Sequence, residues 1–499
     1  MNLITNMLKR VLDIDFTIRL SLGTGIFWAA VAALLAVFNQ ALLFLGLPLP
    51  AGLDYGHLRP IFTTVLLFGS LLCLFSGISY HIVRKIAGEI KLAPLAFGAF
   101  KLHQLAVLLT IVTILIGYNK GREYGEFSWI ADALFSLGTL LMLVALVAAI
   151  KVSGKRAPET DVLLVAVAGL FMIHLVGNFN LPYGPLNSTP IFTGVHDQAT
   201  QEVYRVGLLM YLIVLPVLAV LYHFVPAYYG VSLYSEDLSR FVLLASILVV
   251  PFAGAAGLVH SAAPVGLQTL GMFAGFALAV ATIGGALNVH YSISRSGKRF
   301  QSDATGLAFR WAVAFLIALA IVRGLSGIRF VQAAIGYTWL DPKNIAEDAL
   351  GYGILVMVVG ALVVVRRNGG RQPGGLVQRA VFLAVVGILL MIVANVAHGL
   401  IQNAVRSAMT DQAELVHTDW TGVLFGGRFY SVAEPDGVSL YMLSLRSVYF
   451  AGLLAHALGI LLLALEFALQ ALKPAGGGDY KEPVLHGETV AIAPAGAAH

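Results

Sequence analysis

The chain has 499 residues, of which 59% are hydrophobic and 11% charged, and its mean hydropathy is +0.86. That composition excludes an ordinary soluble globule and points to a polytopic membrane protein. The formal net charge of +5 invites a nucleic-acid reading, but where the basic residues fall along the chain argues for membrane topology instead.

A bilayer-spanning helix needs about 20 apolar residues, and about twelve segments qualify. Taken in order, their cores are 20–46, 61–82, 98–117, 128–150, 161–177, 204–226, 239–258, 266–290, 305–322, 347–365, 378–400 and 447–472. Several carry Gly or Pro, as Pro216 does, which membrane helices tolerate where neighbours satisfy the freed backbone groups. The opening residues lack the pattern of a removable signal, so the first helix is expected to remain as an anchor.

Even-numbered connections carry the compact basic clusters Arg84, Lys85 and Lys91; Lys151, Lys155 and Arg156; Arg295, Lys298 and Arg299; and Arg366, Arg367, Arg371 and Arg379. With Lys9, Arg10, Lys473 and Lys481 at the ends, the positive-inside tendency places both termini in the cytoplasm. The long connections, near 178–203, 323–346 and 401–446, then fall outside, and the larger inner connection lies near 227–238. Residues 1–472 read as one transmembrane domain, and 473–499, rich in Gly, Ala and Pro, as a disordered cytoplasmic tail. No fixed-period repeat stands out, which argues against an inverted-repeat transporter.

Ionisable groups inside a bilayer are costly to bury and are therefore functional candidates. Of thirteen histidines, His81, His103, His174, His223, His260, His290, His398 and His456 fall in or beside spans. A haem or copper site in a bundle needs imidazoles that converge at one depth, and no His-His, His-x-His or His-x-x-x-His pair exists here. His81, His223 and His290 end helices beside basic clusters and read as interfacial residues. His174, His398 and His456 read as hydrogen-bonded core histidines, with a ligand role as the alternative. Cys73 is the one cysteine, which removes internal disulfides and cysteine metal clusters. The Gly-rich stretches "SLGTGIF" and "GGRQPGG" lack the partners of a nucleotide-binding loop. Gly-x-Ser-x-Gly nucleophile motifs are absent.

Several stretches in fixed order carry a family resemblance. "YGHLRPIFTTVLLFG" at 55–69, "GYNKGREYGEFSWIAD" at 117–132, "MIHLVGNFNLP" at 172–182, "YHFVP" at 222–226, "AAPVGLQTLGM" at 262–272 and "HGLIQN" at 398–403 resemble the catalytic subunit of the C-type haem-copper oxidases. Those are the cbb-type cytochrome c oxidases, relatives of nitric oxide reductase. The resemblance covers about residues 15 to 472, and "GREYGEFSW" and "APVGLQTLGM" are its most specific parts. It implies an all-α bundle of about twelve helices in a bacterial inner membrane.

The resemblance also implies a ligand set: two histidines for a low-spin haem, one for an active-site haem and three for copper. Carried over by position, they fall on Phe62, Val206, Ala256, Gly257, Asn344 and Ala346, with Ile345 as the spacer of the tenth-helix pair, so every ligand position lacks histidine. The family's active-site tyrosine falls on Val250. His260 lies about one helical turn from the expected copper pair. What remains is an outer polar cluster. Arg59 resembles the arginine near the haem propionates, and Arg122, Glu123 and Glu126 match the outer loop beside the haem and calcium region. Glu347 and Asp348 are acids gained on the ligand helix. An arginine here needs a partner among Glu123, Glu126, Glu347 and Asp348, and loss of Arg59 is expected to destabilise the protein.

The expectation is a non-catalytic subunit without haem b or copper, calcium at the outer loop being left open. It would act as scaffold, assembly partner or regulator beside other integral membrane subunits and a c-type cytochrome or other outer-side protein, with no nucleic acid involved. Two alternatives stand beside it. One is an electron-transfer subunit with a reworked haem site using His174, His260, His398 or His456. The other is a transporter or ion-conducting protein using Lys101, Asn288, Asn395 and Gln402.

Overall fold

The computed structural model of the chain describes residues 13–45, 53–178, 180–259, 261–299, 303–335, 338–340, 351, 353–362, 375–410 and 437–472. Its helices are α1 (Ile14–Leu45), α2 (Tyr55–Ala87), α3 (Ala93–Leu115), α4 (Trp129–Ser153), α5 (Pro158–Gly177), α6 (Gly194–Tyr229), α7 (Glu236–Leu258), α8 (Val265–Ser294) and α9 (Ala304–Ser326). The short α10 (Arg329–Ile335), α11 (Gly353–Leu362), α12 (Gly375–Thr410) and α13 (Gly437–Leu472) complete them. Among the described residues eleven helices are long and apolar enough to cross a membrane, and α11 is a shorter apolar twelfth. The chain is an all-α polytopic membrane protein, as expected.

Local chemistry sets the helix ends. Asp54, Ser235 and Asp303 cap α2, α7 and α9 by accepting from the backbone N–H of His57, Leu238 and Gly306. Gly154 and Gly230 take the left-handed conformation that closes α4 and α6, so two connections shrink to residues 154–157 and 230–235. Two expectations need correction here. The connection placed at 227–238 is shorter, because α6 continues to Tyr229. The loop placed at 178–203 contains a hairpin, β1 (Asn180–Pro182) paired antiparallel with β2 (Ser188–Pro190), followed by ten residues of α6 before 204. Those first turns of α6, "GVHDQATQEV", are polar, and a hydropathy reading stops at the first apolar residue.

Alternation of the spans puts residues 116–128, the hairpin and 259–264 on one face, called here the hairpin face. The connections 88–92, 154–157 and 230–235 and residues 295–299 lie on the opposite, basic face. Helices α2 and α6 form the centre: their apolar windows are 94% and 100% buried, against 33% for α3. Each has a π-helical segment there, Val65–Leu71 and Met210–Val214, and the two segments touch. Such bulges re-aim the side chains on either side of them and recur at functional sites. At the periphery α12 and α13 cross closely, where a Cβ on Gly387 would sit 2.4 Å from the His456 backbone nitrogen.

Candidate functional site

Beneath the hairpin-face ends of α6, α7 and α9 lies a cavity of about 70 Å³. Val206, Ala256 and Gly257, three of the positions singled out in the sequence, line it together. The short 3-10 segment Gly254–Leu258 brings Ala256 and Gly257 against α6: a Cβ on Gly254 would lie 2.5 Å from the Val203 backbone, and one on Gly271 of α8 would lie 2.3 Å from the Ala255 carbonyl carbon. Only glycine permits backbones this close. Into the resulting space α6 directs Glu202, whose carboxylate pairs with Arg205 one turn on. A Cβ on Gly257 would sit 2.3 Å from Glu202 Oε2, so the acid already fills the volume a side chain there would need. Arg323 of α9 and Gln332 of α10 line the same cavity, and Val250 is fully buried on α7.

A second cavity, of about 130 Å³, lies between α1, α2, α12 and α13 and is lined by Phe62, Arg59, Tyr55, Tyr124, Tyr449 and His456 among others. Phe62 is half-buried against the core. His456 Nδ1 is 3.2 Å from the Ala384 carbonyl oxygen, which requires the proton on Nδ1 and leaves Nε2 as an acceptor. Nε2 is the atom nearest a Cβ on Gly351, at 3.1 Å.

The outer polar cluster divides instead of converging. Arg59 pairs with Glu123 at 3.1 Å, both side chains more than a third exposed. Arg122 pairs with Asp197 at the start of α6 and donates to the Gly177 carbonyl, a partner the sequence did not suggest. Glu126 meets no arginine among the described residues. Its Oε1 accepts from Thr63 Oγ1 at 3.0 Å and from the Tyr124 N–H at 3.2 Å, while Oε2 is buried with no partner among the described residues. Burial pushes the Glu126 carboxyl up to about 7 against the opposing pull of those hydrogen bonds. Tyr124 has φ +62°, rare for a residue with a Cβ, and Tyr204 Oη holds it by donating to its carbonyl. Asn344, Ile345, Ala346, Glu347, Asp348 and His260 lie outside the described residues, as does 473–499.

Behind this loop runs a chain that sequence reasoning missed. Lys120 pairs with Asp132 of α4, Asp132 Oδ1 lies 3.2 Å from His174 Nε2, and His174 Nδ1 lies 3.3 Å from both Tyr204 Oη and Asn178 Nδ2. His174 thus sits between the Asp132 carboxylate on its Nε2 side and Tyr204 and Asn178 on its Nδ1 side. Burial pulls the Lys120 ammonium below its usual range while Asp132 opposes the shift. The detectable signal was an acid inside the fourth predicted span.

On the basic face the expectation for His81 and His223 fails. Both are buried, their rings 6.3 Å apart, and His223 Nδ1 is 3.3 Å from Glu159 Oε1 of α5. These contacts run between helices, so no spacing within one helix reveals them. His290 is exposed, and His103 lies 3.1 Å from Thr139 Oγ1 in the core. His398 is buried beside Trp339, with ring centroids 5.5 Å apart. The polar residues proposed as a route do not meet. Lys101 is exposed over Phe97, Asn288 bonds the Ser235 backbone at the start of α7, Asn395 is buried in α12 and Gln402 accepts from the Trp339 N–H. Among the described residues no three His, Cys, Asp or Glu side chains are grouped to hold a metal ion.

Comparison with known proteins places this arrangement in context. The family model described as "Cytochrome C and Quinol oxidase polypeptide I" matches residues 17–429. The chain is 26% identical over 442 residues to the Cbb3-type cytochrome c oxidase subunit CcoN1 of Stutzerimonas stutzeri, covering 86% of this chain and 90% of that one. It is 25% identical to cytochrome c oxidase subunit 1 of Rhodobacter capsulatus, covering 86% and 83%. A cytochrome c oxidase subunit 1 homolog of Agrobacterium tumefaciens (strain T37) is 23% identical, covering 82% and 78%.

Proposed function

Because this chain belongs to the cytochrome c and quinol oxidase polypeptide I family, whose model matches most of its length, we propose that it is a subunit that retains the oxidase fold without the metal chemistry. Its role is that of scaffold, assembly partner or regulator in a respiratory or electron-transfer complex of a bacterial inner membrane. The basic face, with both termini, is cytoplasmic on this reading, and the hairpin face presents docking surface to other integral membrane subunits and to a c-type cytochrome or other outer-side protein.

The observation that carries the reading is the donor set around the smaller cavity. A copper ion there needs imidazole nitrogens, and the residues brought together are Val206, Ala256 and Gly257, with an ion pair in the space between them. A haem at the larger cavity fares no better. Phe62 stands at the resemblance-derived ligand position and lines a cavity of about 130 Å³, similar to the engineered cavity of roughly 150 Å³ that admits a single benzene. His456 Nε2 supplies one nitrogen, without a facing imidazole among the described lining residues. Among the described residues the donor set therefore does not fit the haem and copper groups of the family.

Affinity purification of the full chain from native membranes in mild detergent tests the role. A stoichiometric set of respiratory subunits is the expected result; a chain that purifies alone from native membranes and leaves oxidase assembly unchanged on deletion contradicts it.

A further inference from the structure

Two polar atoms on residues that line the Phe62 cavity are acceptors without a donor. His456 Nδ1 donates to the Ala384 carbonyl at 3.2 Å, so Nε2 is an acceptor, and among the described residues no group donates to it. Asn39 Nδ2 donates to the Leu58 carbonyl at 3.3 Å, which leaves its Oδ1 buried and without a partner among the described residues. His456 is 7% exposed and Asn39 5%, and both line the cavity. Buried acceptors of this kind are uncommon, and an occupant that brings a hydrogen satisfies them.

The rest of the lining narrows what that occupant is. Ala29, Ala32, Ala33 and Ala36 recur at helical spacing along α1, so this helix contributes a face of methyl groups to the wall. Phe62, Met391 and Leu453 add ring, thioether and alkyl surface. About 130 Å³ suits one six-membered ring, and aromatic and sulfur neighbours favour a flat π-system. A bare hydrocarbon leaves His456 Nε2 unsatisfied, and a charged ring is costly to strip of water among such side chains.

We propose that the cavity between α1, α2, α12 and α13 binds a neutral single-ring phenol, whose hydroxyl donates to His456 Nε2 and whose ring lies against the alanine face of α1. Entry is from the hairpin face, where Arg59 lines the cavity and is itself more than a third exposed. A phenol hydroxyl keeps its proton at neutral pH, as tyrosine does, and so arrives as a donor. The site stands independently of the partner role proposed above, since it concerns only the contents of the cavity.

Titration calorimetry of the purified full chain in detergent at neutral pH tests it, with phenol and fluorobenzene as probes and protein-free micelles as the blank. Phenol is expected to bind saturably and about tenfold more tightly than fluorobenzene, which matches its size but has no hydrogen to donate. His456→Leu is expected to abolish the advantage of phenol while leaving fluorobenzene affinity in place. Ala33→Leu, which fills part of the cavity, is expected to weaken both probes about tenfold or more. The proposal is overturned if phenol shows no saturable binding beyond the micelle blank, if its advantage survives in His456→Leu, or if Ala33→Leu leaves its affinity unchanged. Should the variants fail to fold, the wild-type chain decides the matter: phenol binding no tighter than fluorobenzene overturns the proposal.

Discussion

The two cavities beneath the hairpin face include positions that the family resemblance assigns to metal ligands, and their linings differ in kind. At Val206 the space holds an ion pair, Glu202 with Arg205, backed by Arg323. At Phe62 the lining is largely aromatic and aliphatic, and the arginine at its edge, Arg59, looks outward to an exposed Glu123. The contrast separates two ways of lining a cavity inside a membrane bundle. Charges in the interior must be paired to be tolerated, and then become indispensable; apolar fill needs no partner and is easier to perturb piecemeal.

The largest effect should therefore come from breaking the pair. Glu202→Ala leaves Arg205 without its carboxylate, and a loss of about 3–5 kcal/mol is expected, measured by denaturant or thermal unfolding in detergent. Gly257→Ala forces a Cβ into Glu202 Oε2 and should cost about 1–3 kcal/mol by overpacking. In a Glu202→Ala background that cost should largely vanish, because the obstructing carboxylate is gone. Equal costs in both backgrounds would show that Glu202 does not fill the cavity.

The next effect sharpens the comparison at the edge of the Phe62 cavity, where Glu126 bonds Thr63 and Tyr124. Its carboxyl is raised from the usual value of 4.5 to about 7, so between those values the folded state binds more protons than the unfolded state. Stability from this group is fully present below about pH 4.5 and is lost as pH rises through about 7, a change on the order of 3 kcal/mol at most. A midpoint that falls between pH 5 and pH 8 in the wild type and stays level in Glu126→Gln is expected. Equal slopes in both proteins would remove Glu126 as the cause.

Apolar fill should respond more mildly. Phe62→Ala widens a cavity that already exists around a half-buried ring, so about 1–2 kcal/mol is expected, below the range for a fully packed phenylalanine. Glu123→Ala should be smallest, about 0.2–1 kcal/mol, since its pair with Arg59 is solvent-screened.

Much of the architecture was legible in the sequence, because a bilayer imposes a length and a composition on each span that a linear reading detects directly. The positions Val206, Ala256 and Gly257 could also be named from motif order alone, although nothing in the spacing says that they share a cavity. What fills the space beside Val206 was not legible. Glu202 falls in the connection read at 178–203 and Arg205 just inside the span read at 204–226, whereas both belong to the last polar turn of α6 before the buried π-segment. Asp132 with His174, and His81 with His223 and Glu159, meet only across helices, and one-dimensional spacing carries no information on interhelical distance. The interfacial reading of His81 and His223 failed for the same reason: adjacent basic residues mark where a helix ends, but not which side of it is packed.

The most direct test of the central claim is a pyridine haemochrome spectrum with copper analysis on the purified full-length chain. The account predicts neither haem b nor copper in stoichiometric amount. One haem b or one copper per chain, retained through purification, would contradict it.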